Sequence, residues 1–423
     1  MSVKRFDVGS WLDSPMSRRR LDLSQFVTER AVVADICGRV AAEGDGALRE
    51  LGTKFEGWAP GAGETFEVPK RELGAAANKL APADRAALEF AAERIRAFHE
   101  RQLQPASSGL PGLKLLTRPV RRAGVYAPGG RAAYPSTVLM TVIPARIAKV
   151  PEVVLATPPR VDGTVPSAIL AAAHIAGVDA VYRIGGAQAI AALAYGTATI
   201  PRVDIVAGPG NIYVTLAKRE VFGAVGVDGM AGPTEVMVIA DEKARPDFVA
   251  ADLAAQLEHD PLAWAVLITD STQLADRVEE EFESLVGGLE RKEIIRKANC
   301  CIVVADDLDQ AMHLANDFAP EHLLIVTADA SRRATQVENA GAVFVGPYAT
   351  VPLGDYVAGP NHTLPTAGAA RFGSPLGVHT FLKRTSVLSL NRGDLEMLRD
   401  ACVRLAELEG LGAHAHAVEV RLE

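Results

Sequence analysis

Gln256 and His259 stand three residues apart at the end of DFVAADLAAQLEH, a segment whose apolar spacing predicts a helix. Asp260-Pro261 follows, and proline disfavours helical geometry in the residue before it, so the helix is expected to stop at about His259 or Asp260. Residues with this spacing share one helix face, here at the end where the backbone carbonyls carry partial negative charge. The pair suits half of a cation site and equally a solvated helix end. Others of the nine histidines stand beside acids, amides or glycines in positions that read as loops or element ends. Glu321-His322 opens HLLIV, Asp355 and His362 flank a Gly-rich loop, and His414 and His416 lie near the C-terminus. Histidine nitrogen with carboxylate oxygen is a usual zinc ligand set, whereas glutamine is uncommon in one and no H-E-x-x-H motif is present. Each of these residues also has a structural reading: a strand-edge histidine satisfied by backbone, a turn capped by Asp355, exposed histidines in a tail.

Two glycine turns, AGPGN at 207–211 and IGGAQ at 184–188, each precede a helical pattern, where backbone N–H groups could face a phosphate. Neither is G-x-G-x-x-G with an acid about 20 residues on, so residue patterns alone leave tight turns as the alternative. Cys37, Cys300, Cys301 and Cys402 show no C-x-x-C spacing, which points away from a zinc cluster or a disulfide framework. Cys300-Cys301 opens the apolar run CCIVVA, a buried strand in which thiols are expected to be inert.

The elements that must position these residues fall into three stretches. Residues 26–105 are mostly helical. From about residue 124, short β-rich runs alternate with helices (GVYAP, EVVLAT, AVYRI, VDIVAG), and past residue 235 the alternation resumes with EVMVIAD, AVLITD, CIVVAD, HLLIVT and AVFVG. That order implies two α/β units built on parallel sheets, with a boundary near GMAGPTE. A last segment, FLKRTSVLSL and a helix from about 393 to 408, carries the chain to HAHAVEVRLE.

With 423 residues and 48% hydrophobic content, the chain can bury more than one core. Net charge is −8, with no basic block beyond Arg18-Arg19-Arg20, which points away from nucleic acid. The N-terminus lacks an apolar h-region and contains Asp7 and Asp13, and the longest apolar stretches are too short to cross a bilayer. A cytoplasmic protein acting on small molecules, without membrane or nucleic-acid partners, is expected.

Taken together, GVYAPGGRAAYPSTVLMTVIPA, IGGAQAIAALAYGT, GPGNIYVTLAKREV, AGPTEVMVIAD, DLAAQLEHDP, APEHLLI, GDYVAGPNHTLPT and GLGAHAHAV resemble the histidinol dehydrogenase family, in the family's order and over nearly all of the chain. The resemblance implies one zinc ion per subunit on Gln256, His259, Asp355 and His414, the alanine and spacing favouring His414 over His416. It implies a catalytic pair, Glu321 and His322, and substrate contacts from Thr234, His362 and Glu409 as well as from Gln256, His259, His322, Asp355 and His414. Contacts to NAD fall on Tyr126, Gln188 and Asn211. The chain departs from many members in reading Pro135-Ser136-Thr137 and Gly232-Pro233-Thr234-Glu235, with threonine for serine at Thr137 and Thr234. The hydroxyl is kept and a methyl added.

The implied reaction converts L-histidinol to L-histidine through L-histidinaldehyde with two NAD, in histidine biosynthesis. His322 is expected to take the hydroxyl proton and Glu321 to activate the water that adds to the aldehyde. The implied fold is α/β, with two incomplete Rossmann-like domains, a helical N-terminal segment and a C-terminal arm exchanged in a homodimer. The expected division is an arm at 1–24, an α/β domain from 25–105 and 235–377 carrying zinc ligands and bases, a nucleotide-binding domain at 124–234, and an arm at 378–423 completing the partner's site. Three other readings are a paralogous zinc and NAD dehydrogenase of another small polyol or amino alcohol, a catalytically dead scaffold, and a thiol-dependent aldehyde dehydrogenase.

Overall fold

The computed structural model describes residues 3–17, 22–103, 112–129 and 133–423, so the Arg18-Arg19-Arg20 block lies outside the described residues. Two parallel sheets organise the larger of two compact units, Met1–Gln102 with Val120–Phe381. One has five strands in the spatial order Ala180–Arg183, Glu152–Thr157, Arg122–Tyr126, Ile205–Ala207, Gly226–Val227. The other has six: Lys4–Asp7, Asn299–Val304, Trp264–Thr269, Glu235–Ala240, His322–Val326, Ala342–Val345. The apolar runs become central strands because both faces of a parallel sheet are covered, which favours Val- and Ile-rich strands over alternating ones. In Glu235–Ala240, Val236 and Val238 enter one core while Met237 and Ile239 enter the core on the opposite face.

The mixed α/β architecture with parallel sheets agrees with the sequence reading, and four differences have physical causes. First, the N-terminal helices were expected to belong with 235–377. Instead Val33, Ile36, Val40, Leu48 and Leu51 share a core with Tyr126, Val154, Ile190 and Val206 of the five-stranded sheet. Apolar periodicity tells that a helix has a buried face and not which of two sheets it covers. Second, the N-terminal segment supplies a strand, Lys4–Asp7, at the edge of the six-stranded sheet. Third, helix Pro246–Leu257 ends earlier than Asp260-Pro261 alone suggests, with Glu258 as its cap and a turn closed by Ala263 N–H donating to Asp260 O. Gln256 therefore sits in the last turn and His259 just beyond the helix. Fourth, the Gly-rich stretch after residue 348 contains a short helix, Val351–Tyr356, which carries Asp355.

The second unit, Leu103–Pro119 with Leu382–Glu423, holds an antiparallel ribbon of Leu113–Pro119 with Leu382–Leu388 and the helices Arg392–Leu408 and Gly412–Glu419. The closing HAHAVE, read from sequence as a polar tail, is helical. Among the described residues no helix is long and apolar enough to cross a membrane.

Candidate active site

The centre of the six-stranded sheet brings the acid–base candidates together. Strands Glu235–Ala240 and His322–Val326 are neighbours and parallel, with His322 opposite Val236, so Thr234-Glu235 and Glu321-His322 share one amino-terminal edge. The crossover helix Pro246–Leu257 runs back against the strand before it, which returns its last turn, with Gln256, to that same edge. Helix Val351–Tyr356 does the same for Asp355 after strand Ala342–Val345.

The side chains form one hydrogen-bonded chain. Gln256 Nε2 donates to Thr234 Oγ1 at 2.6 Å. Thr234 Oγ1 donates to Glu321 Oε2 at 2.5 Å, and Glu235 N–H reaches the same oxygen at 2.8 Å. A hydroxyl has one proton, and here it goes to the carboxylate, so toward Gln256 the hydroxyl can only accept. That fixes the amide: its nitrogen faces Thr234 and its oxygen is turned elsewhere. Gln256 Oε1 is buried without a hydrogen-bond partner, which makes it a donor atom that could take a cation.

His322 is set by a similar constraint. Its Nδ1–H donates to Glu235 O at 3.0 Å, which in the neutral ring leaves Nε2 with a lone pair. Nε2 is buried, has no hydrogen-bond partner, and lies 3.8 Å from Asp355 Oδ1. Burial pushes the Glu321 carboxyl above the usual carboxylate range against the pull of His322. Burial opposes charge on His322 as well, but the Glu321 and Asp355 carboxylates together outweigh it and the imidazole is held above its ordinary value. Burial also raises Asp355, yet His322 together with His362 and His259 offsets it and the carboxyl stays below the ordinary range. His259, exposed past its helix, is near enough to act on Asp355 and Glu321 through its charge. Among the described residues, no three His, Cys, Asp or Glu side chains gather as a metal-binding group. Gln256 Oε1, His322 Nε2 and the Asp355 carboxylate lie with Glu321 at this edge, and exposed His259 stands beside them.

His362 Nδ1–H donates to Asp355 O at 2.8 Å, and its Nε2 is 3.3 Å from Thr137 Oγ1. Thr137 lies in the first turn of helix Pro135–Ile147, beside the five-stranded sheet, so its hydroxyl touches the substrate candidate His362.

Tyr126, Gln188 and Asn211 line one cavity of about 1450 Å³ at the carboxyl end of the five-stranded sheet. Strand order reverses between Arg122–Tyr126 and Ile205–Ala207, the position at which open parallel sheets bind ligands. Asn211 caps helix Ile212–Val221 by accepting from Tyr213 and Val214 N–H, which leaves its amide nitrogen for other contacts. Tyr126 Oη accepts from Gly186 N–H at 3.1 Å.

Glu409 and His414 belong to the second unit. Glu409 caps helix Arg392–Leu408, and His414, like His416, is exposed on helix Gly412–Glu419. Cys37, Cys300 and Cys301 are buried with thiols pushed up by burial, Cys37 to about 12, which is the opposite of what a nucleophile requires. Sequence reasoning passed over Glu235, a fully buried carboxylate whose Oε1 accepts from Glu321 N–H and Ala367 N–H. The signal was available: an acid opening the apolar run EVMVIA.

Covered parallel sheets with a buried carboxylate–imidazole pair at a strand edge define an α/β enzyme built for proton transfer. The chain belongs to the histidinol dehydrogenase family, an oxidoreductase family whose model matches residues 17–422. A histidinol dehydrogenase of Parasynechococcus marenigrum is 48% identical over 412 residues, covering 96% of this chain and 93% of its own length. One from Aquifex aeolicus is 50% identical over 397 residues, covering 92% and 91%. The crystal structure of histidinol dehydrogenase from Elizabethkingia anophelis superposes with a TM-score of 0.90 at 32% identity, covering 99% of this chain and 98% of that one.

Proposed function

We propose that this chain oxidises L-histidinol to L-histidine in two steps through L-histidinaldehyde, using zinc and two NAD. The observation that carries the reading is the Gln256–Thr234–Glu321 chain of hydrogen bonds, which joins a buried amide oxygen without a hydrogen-bond partner to a buried carboxyl. Zinc would supply electrostatic hold on the substrate's imidazole and amino nitrogens, and NAD the hydride acceptor for both oxidations. Gln256, His259 and Asp355 would hold the metal with His414 of a second chain. His322 takes the alcohol proton on Nε2, the nitrogen that its Glu235 bond leaves unprotonated. Glu321 then takes a proton from the water that adds to the aldehyde. Burial raises its affinity for a proton, which makes it a stronger base than an exposed carboxylate. Thr234, His362 and Glu409 complete the substrate pocket.

Tyr126, Gln188 and Asn211 bind NAD in a Rossmann-like domain, a reading supported by their shared cavity at the sheet's switch point. The C-terminal arm is exchanged in a homodimer, so that Glu409 and His414 serve the partner's site. Supporting this, Met397, Leu405 and Leu408 are exposed on a helix of the separate second unit. The test is NADH formation with L-histidinol, with and without chelator. Two NADH per substrate, lost on chelation and regained with zinc, is the expected result. One NADH per substrate, or turnover indifferent to chelator, would overturn it.

A further inference from the structure

Between Tyr126 and Asn211 the chain passes through Gly208, and both backbone polar groups of Gly208 are taken by one buried ion pair. Asp228 Oδ2 accepts from Gly208 N–H at 2.7 Å, and Lys218 Nζ donates to Gly208 O at 2.5 Å. Lys218 and Asp228 meet each other at 2.5 Å with side chains only 4% and 5% exposed. Asp228 Oδ1 also accepts from Gly229 N–H, and the Asp228 N–H donates to Val206 O. Gly208 has φ +120°, and a Cβ there would come within 2.2 Å of Tyr126 O, so the turn is pressed onto the backbone of Tyr126. The residue after the turn's second glycine is Asn211, the helix cap that lines the cavity. Lysine is rarely this buried, and a charge pair removed from water is retained at a cost in desolvation that burial of apolar side chains would not carry.

We propose that the Lys218–Asp228 pair positions the nucleotide site: it clamps Gly208 so that Tyr126 and Asn211 stand at the spacing NAD requires. Neither Lys218 nor Asp228 lines the cavity of Tyr126, Gln188 and Asn211, so both act as positioning residues. The inference rests on the reading of Tyr126, Gln188 and Asn211 as NAD contacts. It separates structural support from site geometry, because the pair's two contributions respond differently to removing one charge or both.

The test compares Lys218→Met, Asp228→Asn and the double variant with wild type in the holoenzyme, reading thermal midpoint, NADH binding by fluorescence, and KM for NAD and for L-histidinol. Either single change strands a buried charge and lowers the midpoint, whereas the double change removes both charges and recovers most of it. NADH binding and KM for NAD stay weakened in the double variant, by up to roughly 10-fold, the worth of one well-placed hydrogen bond. KM for L-histidinol stays close to wild type. Gln188→Ala is the control on the underlying reading. If Gln188→Ala weakens NADH binding while the folded double variant binds like wild type, the clamp is wrong and the pair is structural only. If neither change affects NADH binding, the nucleotide reading itself falls and the clamp with it.

Discussion

The carboxamide nitrogen of Gln256 donates to the hydroxyl of Thr234 across 2.6 Å, and that hydroxyl donates its one hydrogen bond to Glu321. A threonine thereby orients a proposed metal ligand and a proposed base at once. The hydroxyl does the orienting, and the methyl of Thr234 takes no part in it.

Thr234→Val keeps the shape and removes the hydroxyl, leaving Gln256 without an acceptor and Glu321 with one donor fewer. Outer-shell partners of metal ligands are worth roughly 10- to 100-fold in metal affinity. Zinc content after dialysis against a graded chelator should fall accordingly in Thr234→Val and be retained in Thr234→Ser. Equal zinc retention in both variants would show that Gln256 does not depend on Thr234.

The carboxyl of Glu56 accepts from Gly185 N–H at the start of helix Gly186–Tyr195, and burial pushes it up to about 7. The folded protein thus holds this proton more tightly than the unfolded chain, where the carboxyl titrates near 4.5. Its contribution to stability is complete below pH 4.5 and is lost as pH rises through 7, to an extent of up to about 3 kcal/mol. Glu56→Gln has no such dependence, so urea midpoints should diverge in favour of Glu56→Gln between pH 5 and pH 8. A constant difference across that range would place the Glu56 proton affinity at its ordinary value.

The proposed arm exchange makes a prediction by complementation. His259→Ala and His414→Ala should each lose zinc and activity. Mixed, unfolded and refolded together, about half of the dimers are hybrids and one of the two sites in each hybrid keeps both histidines, so about one quarter of all sites should work in a C2 dimer. If His414 served its own chain, every site would stay broken and refolded dimers would show no recovery.

The alternation of apolar strands and helices made both parallel sheets legible, and buried runs such as EVMVIA and HLLIV fell on their central strands. The partner of each helix was not legible, because Val33 and Leu48 would look the same in sequence packed against either sheet. Gln256 as a site residue came from resemblance and not from its residue type, since a lone glutamine in a last turn has no signature of its own. The relay that orients it pairs positions 22 and 87 residues apart, a relation no local pattern encodes. Glu235 was missed because an acid at the head of a strand reads as its exposed end, whereas the fold buries it beneath Glu321.

In the proposed reaction His322 and Glu321 divide the two oxidations between them, and Glu321→Gln separates their roles. The variant keeps an oxygen to accept from Thr234 and Glu235 but cannot take a proton from water. In a single-turnover experiment with L-histidinol, the first NADH should form at a near-normal rate. Oxidation of added L-histidinaldehyde should slow by roughly 10²- to 10⁴-fold, the usual worth of a positioned base. If Glu321→Gln slows both oxidations equally, the division is wrong and the two residues act as one coupled acid–base unit.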